Sequence, residues 1–354
     1  MSVTAHAIVY ENYGNPTQVI KSHSYKIDLN NLKPEEVVLQ TLASPINPSD
    51  IVQIAGIYPS RPPISVDSLP EAKTPIAVTG NEGLFKIIAK GSDVSEFQIG
   101  DWVIPSSVNF GTWCTHRIHL KNEILKIPND IPMNQAATLA VNPPSAYLML
   151  NDIVKLQPGD WFVQNGANSQ VGRLAIQMAK NMGVHSINIV RKKENFDDLV
   201  KDLTSIGATK VISQEDVGTE FFTEFLKGKN VKLGLDCVGG AASLAVAKVL
   251  SEYGKLVVYG SMTGQPLPLT VDLFLFKNIT VQGFWLSKRL KNEAELKVSS
   301  TNAVVKLIKD GTLKESNVNE TILKISELTD AKFLDTFVTA ITNSNSGKQL
   351  IKFE

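Results

Sequence analysis

The chain reads as two units of different class: a β-rich, partly closed barrel, then a doubly wound α/β unit with a parallel sheet. Three observations carry this reading. Residues 1–120 hold short, often alternating apolar runs bounded by Gly, Pro and Asp. From 143 onward strand-like runs alternate with helix-like ones, the pattern of a parallel sheet covered on both faces. The tail "KQLIKFE" is strand-like again and is expected to rejoin the barrel. The expected boundaries are 1–145 for the barrel, completed by 292–354, and 146–291 for the α/β unit.

The barrel strands are read from "AHAIVY", "EEVVLQTLA", "EGLFKIIAKG", "DWVIP" and "TWCTHRIHL". Their alternation places every second side chain on one face. A Pro-rich loop, "YPSRPPISVDSLPEAKTP" (58–75), interrupts them. It is too long for a simple turn, and long loops in compact domains are often functional. A helix starts at "PPSAYLMLNDIV", with prolines at its head where no N–H is needed. Strands are expected at 160–164, 185–190, 210–213, 232–236, 254–259 and 279–282. Helices are expected at 170–182, 194–206, 215–227 and 240–250, and "SKRLKNEAELKVSSTNAVVKLIKDG" as one long amphipathic helix.

Composition narrows the function classes. The 354 residues are 43% hydrophobic, and 35 Lys+Arg balance 35 Asp+Glu. Zero net charge argues against a nucleic-acid binder held by bulk charge. No apolar run approaches the ~20 residues of a membrane helix. The start "MSVTAHAIVYENYG" runs straight into a strand-like segment, so no secretory signal is read there. Cys114 and Cys237 fall in different units, so a disulfide is not expected and a reducing compartment fits. The five histidines show no ligand spacing and are read as structural; His116 and His119 point to opposite faces of one strand.

The chemistry is read first from "DWFVQNGANSQVGRLAIQMAKNMG". It parses as strand, small-residue loop (Gly166 to Gly172) and amphipathic helix, the layout of a dinucleotide-binding unit. A pyrophosphate is favoured at the helix start by unpaired N–H groups and the dipole. The next strand run, "HSINIV", ends at Arg191, Lys192 and Lys193. NAD-binding units place an acid there for the ribose 2′-OH; a cationic cluster suits the 2′-phosphate of NADP. NADP(H) binding and redox chemistry are therefore expected.

A barrel, a doubly wound unit and a returning tail, with "GDWVIP", "AATLAVNPPSAYLML", "GLDCVGG" and "GKLVVYG", resemble the medium-chain dehydrogenase/reductase superfamily. The resemblance implies a GroES-like domain and a Rossmann domain. Many of its alcohol dehydrogenases use zinc, but Asn47, Asn81 and Asn142 stand at or near the ligand positions here. Asparagine is a poor zinc ligand beside Cys or His, so no metal is expected. Within the superfamily, "INPSDIVQIAGIYPSRP", "GNEGLFKI", "GDWVIPSSVNFGTW", "QNGANSQVG", "INIVRKK", "VQGFWLS" and "KQL" are most similar to the mitochondrial 2-enoyl thioester reductases.

That resemblance implies Tyr58 as the catalytic residue. It implies Asn142 on the nicotinamide side, Asn168, Ser169, Gln170 and Val171 as the phosphate loop, and Arg191, Lys192 and Lys193 as the basic triplet. It adds Tyr259, Gly260, Ser261 and Met262, then Phe284, Trp285 and Leu286, as segments flanking the cofactor, and Lys348 near the C-terminus. The chain departs from the family at Gln170, a bulky amide beside the pyrophosphate, and at the lysines flanking Arg191, which lack arginine's fork.

The implied reaction is NADPH-dependent reduction of a trans-2-enoyl thioester on coenzyme A or acyl carrier protein, in fatty acid synthesis. Hydride goes to the β-carbon, charge develops on the thioester oxygen, and a donor must meet it. The Tyr58 phenol, with an ordinary pKa near 10, is a protonated donor at neutral pH. Asn47 is expected to hold the tyrosine or the cofactor ribose, and Trp285 to wall the acyl pocket. Asp50 and Glu82 are expected to be structural, held by local backbone donors. An NADPH quinone oxidoreductase of the same superfamily is the alternative, and a non-enzymatic dinucleotide-binding protein a further one. The apolar run "DLFLFKNITVQGFWLS" suggests a homodimer formed edge to edge. The resemblance implies the mitochondrial matrix; no Arg-rich presequence is visible, so the mature form or a cytosolic protein is expected.

Overall fold

The computed structural model describes every residue except Lys193 and Ser316, and every other side chain except that of Ala294. It divides into two compact units, 1–141 with 315–354, and 142–314.

In the first unit, Glu36–Pro45 is the central strand of a twisted sheet. Across the described residues the order runs Asn319–Leu323, Gln349–Phe353, Glu36–Pro45, Leu84–Lys90, Trp102–Pro105, Ile124–Ile127. His116–Leu120 also pairs with Glu36–Pro45, and Ser2–Tyr10, Ile20–Asp28 and Ala77–Val78 form a smaller sheet. The tail rejoins the barrel as expected: Ile351 pairs with Ser44 in an antiparallel ladder. The helix Asp330–Thr342 packs Phe333 and Phe337 into an apolar cluster with Trp113, Ile8 and Ile351. Trp113 and Phe337 rings lie 5.0 Å apart. Removing either aromatic to Ala costs about 3–5 kcal/mol in a core of this kind.

The second unit is a six-stranded parallel sheet among the described residues. Its order is Lys210–Ser213, His185–Val190, Trp161–Asn165, Val231–Asp236, Lys255–Val258, Thr280–Gly283. Strand direction of chain growth reverses between Trp161–Asn165 and Val231–Asp236, the crevice where such sheets bind ligands. The central strands are nearly all buried because helices cover both faces.

Two expectations are corrected. The long helix after 287 is two, Leu286–Asn292 and Ala294–Lys309. Glu293 leaves helical geometry (φ −132°, ψ 71°), which breaks the run without a Gly or Pro. The second of these helices then packs on Asn142–Asp152. Residues 292–314 therefore belong to the α/β unit, and the tail that completes the barrel starts at 315. Asn142 likewise falls in the α/β unit. The strand Thr280–Gly283 is an edge strand of the sheet.

Candidate functional site

In the α/β unit, four expected segments emerge at the carboxyl ends of neighbouring parallel strands. The strand Trp161–Asn165 leads into Gly166 (φ 58°) and the helix Gln170–Asn181. Ser169 caps that helix, its Oγ accepting from the Gly172 N–H at 3.2 Å. A Cβ on Gly172 would stand 2.7 Å from the Ala167 Cα, and one on Gly166 2.6 Å from Cys237 Sγ. Both glycines are thus demanded by close approach. The first-turn N–H groups of the helix have no intrahelical acceptor.

Ile189 pairs with Asn165, so Arg191 lies two residues past that register, at the same sheet end as the loop. Arg191 and Lys192 are exposed, and among the described residues neither forms an ion pair. Lys193 lies outside the described residues. The segment Tyr259 to Met262 follows the strand Lys255–Val258. It is stitched to the next turn by Tyr259 N–H donating to Asp236 O (2.9 Å) and Met262 N–H to Cys237 O (3.0 Å). Gly260 packs beside Cys237, where a Cβ would meet its carbonyl oxygen at 3.1 Å. Ser261 and Met262 are exposed. Phe284 and Leu286 are buried, and Trp285 between them is 38% exposed.

Beneath this edge the switch point is locked by residues that pattern reading did not single out. Asn165 Nδ2 donates to Asp236 Oδ1 at 2.5 Å, and Asn165 Oδ1 accepts from Cys237 N–H at 2.9 Å. Ser243 Oγ donates to Asp236 Oδ2 at 2.5 Å. The signal was present as polar Asn and Asp ending two adjacent apolar strands.

The arrangement fits a dinucleotide on this chain's own features. Gly166 and Gly172 let the loop fold tightly against its own helix start and Cys237, the turn a dinucleotide-binding loop needs. Arg191 and Lys192 supply free cations at the ribose position. Among the described residues Gln170 Oε1 is buried with no hydrogen-bond partner, so it has capacity to spare beside the loop. Burial holds the Tyr259 phenol well above its ordinary pKa near 10, so it stays protonated.

In the barrel unit, Asn47 precedes the helix Pro48–Ile54, and Tyr58 follows it. The Ile57 and Tyr58 N–H groups both donate to Val52 O, at 3.0 and 3.1 Å. Ile57 is exposed and Tyr58 partly buried. The loop 58–75 has one short 3-10 turn, Val66–Ser68, and a bridge from Ser65 to Ile76.

Asn47 is buried and shared by two charged partners. Its Nδ2 donates to Glu82 Oε2 at 2.9 Å, and its Oδ1 accepts from Lys348 Nζ. Lys348 Nζ also lies 3.8 Å from Glu82 Oε2. Burial lowers the Lys348 pKa, while Glu82 and Asp50 oppose the shift. Lys348, which the resemblance implies as a cofactor contact, joins a buried network of its own unit. Asp50 takes a local backbone donor, Asn47 N–H at 2.8 Å, as expected. Glu82 instead takes a distant one, Val141 N–H at 2.8 Å.

Asn47 and Asn81 have both ends of their amides committed to protein partners. Among the described residues no group of three or more His, Cys, Asp or Glu is placed to hold a metal. This donor set does not fit zinc. His6 bonds Asp330, His119 stacks on Phe110, and His185 stacks on Trp161. Cys114 and Cys237 are free and buried, with thiols pushed up to about 11 by burial.

Burial pushes the Asp50 carboxyl up to about 6, against the lowering effect of Asn81, the Asn47 N–H and Lys348; Glu82 adds to the rise. The folded pKa lies above the unfolded one, so the native state binds more protons between about pH 4 and 6. Stability therefore falls as pH rises through that window, by roughly 3 kcal/mol at most for this group. Denaturation of wild type and Asp50→Asn across this range should show the fall in wild type alone. Parallel curves would contradict the assignment.

Comparison with known proteins places this geometry. The family description "Alcohol dehydrogenase GroES-like domain" matches residues 33–128, and "Zinc-binding dehydrogenase" matches 171–301. The chain is 42% identical to "Enoyl-[acyl-carrier-protein] reductase 2, mitochondrial" of Debaryomyces hansenii, covering 99% of this chain and 94% of that one. It is 38% identical to "NADPH quinone oxidoreductase" of Kluyveromyces marxianus, over 94% of this chain and 89% of the other. Among solved structures, the Etr1p/NADP/crotonyl-CoA complex superposes with a TM-score of 0.94 at 40% identity, covering 99% of this chain and all of that one. The mitochondrial 2-enoyl thioester reductase Etr1p/Etr2p heterodimer from Candida tropicalis gives a TM-score of 0.94 at 41% identity, with the same coverage.

Proposed function

Because the chain belongs to the family of mitochondrial enoyl-[acyl-carrier-protein] reductases, we propose that its two units carry out NADPH-dependent reduction of trans-2-enoyl thioesters with Tyr58 as proton donor. The observation that carries the reading is the carboxyl end of the α/β unit's sheet, where a glycine-framed helix start and the exposed cations Arg191 and Lys192 follow adjacent strands. NADPH supplies hydride when bound. Asn168, Ser169, Gln170 and Val171 receive its pyrophosphate, and Arg191 with Lys192 receives the 2′-phosphate. Lys193 completes the triplet in sequence. Asn142, Tyr259 to Met262 and Phe284 to Leu286 line the cofactor's path, with Trp285 as the apolar wall for the acyl chain.

Tyr58 donates a hydrogen bond to the thioester oxygen as charge develops there, and its proton serves the α-carbon. Asn47, Glu82 and Lys348 form a buried polar network within the barrel unit, which also carries Tyr58. The acyl group leaves saturated at both carbons, one hydrogen having come as hydride and one as a proton. The solved relative bound to NADP and crotonyl-CoA supports coenzyme A thioesters as substrates; acyl-carrier-protein thioesters follow from the relatives' names. Those names support a mitochondrial location, and a carrier-bound substrate favours the matrix.

The test is NADPH oxidation with a trans-2-enoyl-CoA against the same assay with a quinone. Turnover with the enoyl thioester supports the reading. Turnover with the quinone alone selects the quinone oxidoreductase, the activity in the name of one relative.

The assembly is read as a homodimer. Thr280–Gly283 is an edge strand, and Val271, Leu275 and Phe276 beside it in the chain are 75%, 67% and 75% exposed. Unpaired edges and apolar surface of this kind call for a partner. The Candida tropicalis relative pairs two related chains, so a second copy of this chain is the simplest mate. Sedimentation at micromolar concentration should give a dimer for wild type and a monomer for Phe276→Glu; a monomeric wild type would overturn the assembly.

A further inference from the structure

A relay of side-chain amides runs from the buried carboxylate of Asp50 to the segment that carries Tyr58. Asp50 Oδ1 accepts from Asn81 Nδ2 at 2.6 Å. An ionised carboxylate only accepts, so this bond fixes which end of the Asn81 amide faces it. Asn81 Oδ1 is thereby turned to the Asn109 backbone N–H, at 2.7 Å. Asn81 Nδ2 also donates to Gln53 Oε1, which orients the second amide. Gln53 Nε2 then points to Ser60 O at 2.7 Å and to Asn109 Oδ1 at 2.8 Å. The third amide is oriented in turn, and Asn109 Nδ2 donates to Ser60 Oγ at 3.1 Å.

Two features mark the relay as more than packing. Gln53 and Asn81 are only 4% and 5% exposed, so the bonds among Asp50, Asn81 and Gln53 are made with little competition from water. Asn109 sits at φ 64°, a left-handed conformation that costs energy and persists where surrounding bonds over-determine it. Its side chain reaches both Gln53 and Ser60 from that conformation. The stretch 57–60 is thus pinned twice: at Ile57 and Tyr58 by Val52 O, and at Ser60 by two amides.

We propose that Asp50, Asn81, Gln53 and Asn109 form a positioning relay that holds Tyr58 where its hydroxyl meets the substrate. This rests on Tyr58 being the proton donor. Gln53 and Asn109 are then positioning residues that act through the tyrosine. A misplacement of about 1 Å in such a group costs on the order of 10²-fold in rate.

A double-mutant cycle tests it, with kcat, KM and melting temperature measured for each protein. Gln53→Met keeps the length and removes both donors. Asn109→Gly keeps the left-handed backbone and removes the amide, and serves if Gln53→Met fails to fold. Each is expected to lower kcat by roughly tenfold or more with the KM for NADPH unchanged. In a Tyr58→Phe background the same change should cost almost nothing further. An equal loss in both backgrounds, or a folded variant as fast as wild type, overturns the relay. If Tyr58→Phe alone is as fast as wild type, the donor assignment itself fails and the relay falls with it.

Discussion

Tyr58→Phe is expected to lower kcat for a trans-2-enoyl-CoA by about 10²- to 10⁴-fold. The change removes one oxygen and its proton. The ring, and hence its packing after the helix Pro48–Ile54, is kept. The loss should appear in kcat because the donor meets charge that exists only as hydride is transferred. NADPH binding, read by fluorescence, should be unchanged, since Tyr58 belongs to the barrel unit and the phosphate loop to the other. Equal rates for the two proteins would make Tyr58 a packing residue.

Arg191→Ala is expected to weaken NADPH binding by roughly 10- to 100-fold and to leave NADH binding unchanged. The magnitude follows from charge-assisted hydrogen bonds, each about 1.5–3 kcal/mol. Arg191 has no competing ion pair among the described residues, so its full capacity is available to a 2′-phosphate. Being exposed, it should lose part of its effect as salt rises. Lys192→Ala should cost less, because an ammonium lacks the fork that grips two phosphate oxygens. Equal losses for NADPH and NADH would show that Arg191 acts on the fold or the pyrophosphate, and would remove the basis for cofactor preference.

The α/β unit was legible because its signals are local. Apolar runs bounded by turns marked the strands His185–Val190 and Lys210–Ser213 as they stand, and loop glycines marked the helix start. The break at Glu293 was not legible, since neither Gly nor Pro announces it. The helix Asp330–Thr342 and the strand Asn319–Leu323 went unread; the strand is defined by its parallel pairing with the tail, a contact between distant positions.

The barrel site was half legible. Tyr58 and Asn47 came from the resemblance, but their surroundings are contacts between distant positions. Lys348 meets Asn47 across 301 residues, and Gln53 meets Asn109 across 56. Periodicity carries no trace of such pairs. The one local hint was an Asn two residues before Gly111, a residue type that tolerates the left-handed backbone found at 109.

The most direct test of the central claim is to follow the transferred hydrogen. The protein is supplied with NADPH deuterated on the transferring face, and a trans-2-enoyl-CoA, and the acyl product is read by mass spectrometry and NMR. The account predicts a saturated thioester with deuterium on the β-carbon and a solvent-derived hydrogen on the α-carbon. An unsaturated thioester recovered unlabelled while NADPH is consumed, or label at the α-carbon, would contradict it.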